Sequence, residues 1–246
     1  GRYTPAPTAP HRSYRPQTEP SVESIREAVA LLKGARRPMV YTGGGIINAG
    51  PEASELLTRF VRETGFPITN TLMGLGSYPA SDPQFLGMLG MHGTFEANLA
   101  MHGCDVLLNI GARFDDRVTG RLNAFCPGAK KIHADIDPSN INKNVAVDVP
   151  IVGDAAAVLR ALSEAWKADE RPQDREALAA WWRQIDAWRE TRCLRYEQAG
   201  SVIKPQHAVR RLYELTLETG RDTFITTEVG QHQMWAAQYF LSLIHI

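Results

Sequence analysis

Apolar residues recur along this chain in two rhythms. Short, nearly unbroken apolar runs at 38–42, 66–71, 105–111, 131–136 and 149–152 read as strands buried on both faces. Between them the spacing lengthens to that of helices. Over 51–64, Ala53, Leu56, Leu57, Phe60 and Val61 fall on one face, with Pro51 suited to a first helical position and Gly65 to the stop. Shorter helices are expected over 94–101 and from Gly153-Asp154 to about Trp166, whereas 73–93 is rich in glycine and reads as a long loop. Strands alternating with helices predict an α/β domain: a parallel, Rossmann-like sheet with helices on both faces, binding polar ligands outside the carboxyl ends of its strands.

Past 166 the pattern changes. Helical spacing from about Arg175 to Glu197 carries Trp181, Trp182 and Trp188 among many charges, as expected of an amphipathic linker helix with its indoles against the body. A helix over 205–219 sets Val209, Leu212, Tyr213 and Leu215 on one side; 224–227 reads as a strand, and 228–232 as a turn into a helix from near Gln233. Residues 1–20 hold five prolines and almost no aliphatic side chain, the composition of an extended linker. The expected organisation is thus a linker (1–20), a central α/β domain (21–165), a helical linker (166–204) and the first strand and helix of a second α/β domain (205–246). A strand and helix with nothing to pair against cannot bury an apolar face, so the sequence is expected to be a piece of a longer protein.

Composition excludes several classes of function. With 27 basic and 27 acidic residues in 246, no net field steers nucleic acid, and no apolar stretch approaches the roughly 20 residues needed to span a membrane. Cys104, Cys126 and Cys193 are odd in number and widely spaced, which argues against a disulfide scaffold or a zinc site and fits a reducing compartment.

The candidate chemistry sits where the predicted strands end. Gly43-Gly44-Gly45 could let the backbone approach a phosphate, although Asn48 stands where a dinucleotide fingerprint beginning at Gly43 would need glycine; a tight turn without a ligand explains the run equally well. Arg113 and Arg117 flank Asp115 and Asp116, a set that could grip a diphosphate or a carboxylate, or could satisfy itself as a surface ion network. Asp135 could accept from ribose hydroxyls or serve the turn before Pro138, and Asp154 most simply caps the helix it opens. His92, in a glycine-flanked loop, and His232, at a helix start, lie where ligands bind. His133, within a strand, reads as a core residue. No triad and no metal-ligand spacing appears.

The runs 14–16, 41–46, 71–76, 88–93, 111–120, 133–137, 141–144 and 228–238 together resemble the large catalytic subunit of acetolactate synthase, a family of thiamine-diphosphate enzymes. The resemblance implies a three-domain parent whose central domain binds FAD, and it places FAD against Gly44, Thr71, Leu72, Leu89, Gly90, Met91, His92, Gly111, Ala112, Arg113, Phe114, Asp115, Asp135, Ile136, Asp154 and Ala155. Gln231 and His232 match residues that meet thiamine diphosphate, and Met91, Asp116 and Arg117 match the substrate channel. It further implies condensation of two pyruvates, or of pyruvate and 2-oxobutyrate, with loss of carbon dioxide, on the route to valine, leucine and isoleucine. FAD carries no net electrons in that reaction.

The same resemblance implies a homo-oligomer, a regulatory small subunit, and a bacterial cytoplasm, with a plastid or mitochondrion as the other compartments. It assigns the cofactor-activating glutamate and the magnesium ligands to segments outside this sequence, so the chain alone is expected to be inactive; the run 241–246 departs from the family. Two alternatives are a glyoxylate carboligase-like thiamine-diphosphate enzyme and a non-catalytic FAD-binding module.

Overall fold

The structure is a computed structural model and describes residues 15–221, 223 and 225–240. Helix α1 (Val22–Gly34) leads into β1 (Pro38–Thr42), the short α2 (Gly44–Asn48), α3 (Pro51–Thr64) and β2 (Ile68–Asn70). Then come β3 (Phe85–Met88), α4 (Phe95–Gly103), β4 (Val106–Ile110), the single turn α5 (Asp116–Thr119), β5 (Lys130–Asp135) and β6 (Val149–Val152). Helices α6 (Ala155–Ala168), α7 (Arg175–Arg189), α8 (Pro205–Thr219) and α9 (Gln231–Tyr239) complete the order.

All pairings in the sheet are parallel, and the strands lie in the order β3-β2-β1-β4-β5-β6. Successive strands build outward from β1 in one direction and then from β4 in the other, so the winding reverses between these two. Helices α1, α3 and α6 pack together over one face, and α4 packs with α7 over the other. Burial on both sides explains why β1 and β4 read as unbroken apolar runs: every residue of each is buried. Helix α3 starts on Pro51 and stops on Gly65 in a left-handed conformation, φ 75°, where a Cβ would be strained.

Three expectations are corrected, and one helix is not expected at all. Helix α1 is not signalled by a strand-helix pair, since it precedes the first strand; Ile25, Ala28, Val29 and Leu32 form its buried stripe. Strand β3 lies inside the glycine-rich stretch read as loop: it is a short edge strand whose pairing to β2 is irregular, so it carries no long apolar run. Residues 225–227 form no strand; nothing among the described residues pairs with them, and Phe224 lies outside that set. Helix α7 ends at Arg189 rather than near Glu197, and the chain turns at Arg192 with φ 47°.

The tryptophans of α7 do face the body. Trp181 Nε1 donates to the Pro38 carbonyl (3.1 Å) and Trp182 Nε1 to that of Gly65 (2.9 Å), while Trp181 and Trp188 meet edge to face. Residues 15–20 lie along β6 and α6: Asp154 N–H donates to the Thr18 carbonyl (2.7 Å). Residues 1–14 of the expected linker and the run 241–246 fall outside the described residues.

Candidate functional site

Above the carboxyl ends of the strands lies a cleft of about 920 Å³, at the upper end of the range for small-molecule sites. It is lined from Met88 and Leu89 at β3 across to Gly153 after β6, so it touches the whole row of strand ends. Six strands at about 4.8 Å spacing give that row a span of ~24 Å, the reach of an extended dinucleotide rather than of a mononucleotide.

At its centre the loops following β1 and β4 meet. Gly45 N–H donates to the Gly111 carbonyl (3.0 Å), and a Cβ on Gly45 would stand 2.6 Å from the Gly111 Cα. A Cβ on Gly43 would stand 2.3 Å from the Gly111 oxygen. Gly43 and Gly45 are therefore required by the chain's own backbone rather than by a phosphate. Gly44 is the member of the trio with freedom: its nearest neighbour would be the Met73 Cβ at 3.3 Å.

On the β1–β2 side, Asn70 is fully buried. Its Oδ1 accepts from the Thr42 hydroxyl (2.6 Å) and its Nδ2 donates to the Gly74 carbonyl (3.0 Å). The Thr71 hydroxyl accepts from Gly74 N–H (3.0 Å). This bonded set fixes the turn that presents Thr71, Leu72 and Met73 to the cleft.

On the β4–β5 side, Asn109 Nδ2 donates to the Ala112 carbonyl (2.7 Å), but Asn109 Oδ1 and both nitrogens of His133 are buried without a partner. Burial holds the His133 imidazole below its ordinary 6.5, against the pull of Asp135, so it is neutral at neutral pH. Asp135 Oδ1 accepts from Asp137 N–H (2.8 Å) and Oδ2 from Asn140 Nδ2 (3.2 Å), so the carboxylate both serves the turn and lines the cleft. Asp154 caps α6 by accepting from Ala156 and Ala157 N–H, and with Ala155 it lines the far end.

Gly44, Thr71, Leu72, Leu89, Met91, His92, Gly111, Ala112, Arg113, Asp115, Arg117, Asp135, Ile136, Asp154, Ala155 and Gln231 all line this cleft. Four residues singled out from the sequence do not. Phe114 turns inward at φ 53°, buried against Tyr41, Phe125 and His133. Gly90 is clamped between its neighbours: Asn98 bonds both its N–H and its carbonyl, and a Cβ would strike the Arg117 oxygen at 2.6 Å. Asp116 begins α5 facing solvent, and the His232 ring folds back over Gly230. Arg113 approaches Asp115 at 3.6 Å with both side chains exposed, a loose pair that leaves the guanidinium available to an anion.

Sequence reasoning missed Ile47, Met73, Asn140 and Met234, which also line the cleft. They have no chemical signature of their own; Met73, 74% exposed on an apolar rim, is conspicuous only once the fold is known. Helix α9 closes one corner. Its first turn lacks a side-chain cap, and Gln238 Nε2 near its other end donates to the His92 carbonyl (2.9 Å). All three cysteines are free; the buried Cys104 and Cys126 thiols both donate to the Met101 carbonyl. Among the described residues, no group of three or more His, Cys, Asp or Glu could hold a metal ion, and no helix is long and apolar enough to cross a membrane.

Curated relatives share most of the chain. It is 45% identical over 229 residues to the acetolactate synthase large subunit of Haemophilus influenzae, covering 93% of this chain and 39% of that protein. The figures for the acetolactate synthase isozyme 3 large subunit of Escherichia coli are 44%, 93% and 39%. For acetolactate synthase of Mycobacterium bovis they are 44% over 227 residues, 92% and 36%. The chain thus spans about two-fifths of the length of the curated relatives it matches. The model of the thiamine pyrophosphate enzyme central domain matches residues 25–162, more than half of the chain and the whole of the six-stranded sheet. The chain belongs to the thiamine pyrophosphate enzyme family and carries its central domain.

Proposed function

We propose that this chain is the FAD-binding part of an acetolactate synthase large subunit. The observation that carries the reading is the cleft that runs along all six strand ends, long enough for an extended dinucleotide. Its donor set fits that ligand: Asp135 for a ribose diol, Arg113 for the diphosphate, and the apolar Leu72, Met73 and Met91 for a flat ring system. Gly90 and Phe114 act on the ligand through the shape of the loops they hold, and Gln231 with the first turn of α9 presents N–H donors toward thiamine diphosphate.

When bound, thiamine diphosphate supplies an electron sink for decarboxylating a 2-oxo acid, while FAD serves as structure. The chain's own residues bind and orient. Arg117, at the cleft mouth beside Met91, meets the substrate carboxylate, and Met91 lines the channel by which the substrate enters. Magnesium would be held by ligands outside this sequence, as the resemblance to the acetolactate synthase large subunit implies. The full protein joins two pyruvates, or pyruvate and 2-oxobutyrate, and pairs with a small subunit, as suits relatives named large subunits; that subunit's role is regulatory in this reading. The segments 21–165, 166–204 and 205–246 act as FAD domain, helical linker and start of the thiamine-diphosphate domain.

Calorimetry of the 246-residue chain against FAD tests the cleft: saturable one-to-one association is expected, and no heat of association overturns it. The activity is tested by grafting the chain in place of the matching segment of the E. coli isozyme 3 large subunit. Acetolactate formation from pyruvate is expected; an FAD-loaded chimera that makes none overturns the assignment.

A further inference from the structure

Three buried polar atoms without partners lie together in this sheet, on two residues that contact cleft-lining neighbours, Asn109 beside Ala112 and His133 beside Asp135. Asn109 on β4 and His133 on β5 are direct register partners, so their side chains stand side by side on the same face. Tyr41 on β1 is the next member of the row. Leaving buried polar groups unbonded is costly, and a leucine or phenylalanine at 133 would pack the same space without that penalty. Packing alone therefore does not account for a histidine there.

The surroundings of the ring supply an account. The His133 imidazole lies between a residue that lines the cleft, Asp135, and the buried ring of Phe114. Its Nε2 stands 3.8 Å from Asp135 Oδ2, and the Phe114 ring lies edge-on against it at 5.0 Å. The Ala112 carbonyl, which accepts from Asn109 Nδ2, also faces the ring closely enough to favour its charged form but makes no full hydrogen bond to it. Of the titratable groups nearby, Asp135 acts on the ring. Tyr41, across the row, is kept as a neutral phenol by burial, with Asp115 and Cys126 adding to the effect.

We propose that His133 is a positioning residue: an uncharged imidazole wedged between the Asp135 carboxylate and the Ala112–Phe114 turn, which sets where that carboxylate meets a ribose diol. The proposal rests on the dinucleotide reading of the cleft and goes beyond it by naming a residue that touches no ligand. The ring keeps Asp135 from collapsing onto the strand below it and keeps Phe114 turned inward, so that Ala112 and Arg113 face the cleft. A hydrocarbon in its place would stabilise the sheet but would offer the carboxylate no polar neighbour.

Two measurements on the 246-residue chain decide this. The first needs no ligand: NMR of nitrogen-15-labelled histidine follows the His133 titration in wild type and in Asp135→Asn. Loss of the carboxylate is expected to move that titration to lower pH, because Asp135 favours the charged ring; an unmoved titration overturns the proposal. The second compares FAD affinity in wild type, His133→Leu and His133→Gln alongside urea unfolding. His133→Leu is expected to lose about tenfold in affinity with stability unchanged or raised. His133→Gln, whose amide reaches the place of Nε2, is expected to recover most of the loss. Equal FAD affinity in wild type and His133→Leu overturns the proposal. A wild-type chain that takes up no FAD retires the dinucleotide reading itself and this proposal with it, an outcome distinct from a defect confined to the variants.

Discussion

Each half of the doubly wound sheet places a polar cross-strand pair near the ends of its inner strands, and the two pairs are handled in opposite ways. Thr42 and Asn70, on β1 and β2, are bonded to each other and to the turn above them. Asn109 and His133, on β4 and β5, share the same kind of register but leave three atoms without partners. The difference shows two methods of shaping a binding loop. A satisfied network locks a turn at no cost in unpaired groups, whereas an unsatisfied one tolerates a penalty and keeps a group poised against a carboxylate. Sites for ligands are where such penalties are expected to persist.

The largest effect should come from breaking the satisfied side. Asn70→Leu removes two buried hydrogen bonds, leaving the Thr42 hydroxyl its longer contact to Ser77 Oγ (3.4 Å) and the Gly74 carbonyl its bond from Ser77 N–H (3.0 Å), and urea unfolding should show a loss of about 2 kcal/mol. A loss below about 1 kcal/mol would mean the two halves do not differ in the way described.

An intermediate effect should appear with acid. The unfolded chain takes up a proton on His133 near the ordinary 6.5, while the folded chain does so only at lower pH. The contribution of His133 is thus fully present above 6.5 and is lost as pH falls toward the folded value. In that window wild type should lose stability relative to His133→Leu by at most about 1.4 kcal/mol per pH unit. Parallel stability curves for the two chains would contradict it.

The smallest effect sharpens the contrast. At neutral pH His133→Leu should unfold within about 1 kcal/mol of wild type, because it removes two unpaired nitrogens along with the imidazole. Substituting the bonded asparagine should hurt, and substituting the unbonded histidine should hardly register.

Much of this was legible beforehand, and the reasons are local. Strands β1 and β4 could be placed because a strand buried on both faces leaves an apolar run, β5 because its last four residues are buried, β6 from a short Val-Pro-Ile-Val run although it is a half-exposed edge strand, and α3 because Pro51 and Gly65 mark its ends. Strand β3 was hidden because an edge strand of four residues, with Gly87 at φ 85° in it, carries neither rhythm. The strand-end positions of Thr71, Gly111 and Asp135 follow from topology once the strands are known. What the pattern could not show is direction. Phe114 sits in the middle of a polar run yet turns inward, because a positive φ reverses the side chain's heading and no residue type encodes that. His133 reads as core filler, and it is core; its missing hydrogen bonds become visible only when every neighbour is in place.

The interleaving of Gly43 and Gly45 with Gly111 has a consequence for anyone who would remodel this protein. The two halves of the sheet are stitched together there main chain to main chain, leaving no gap to widen and no side chain to trim. A guest of different outline cannot be accommodated by deepening the floor. New specificity would have to be built outward from the rim, at Met73, Met91 and Ile136, where side chains stand in solvent and can be exchanged without unpicking the seam.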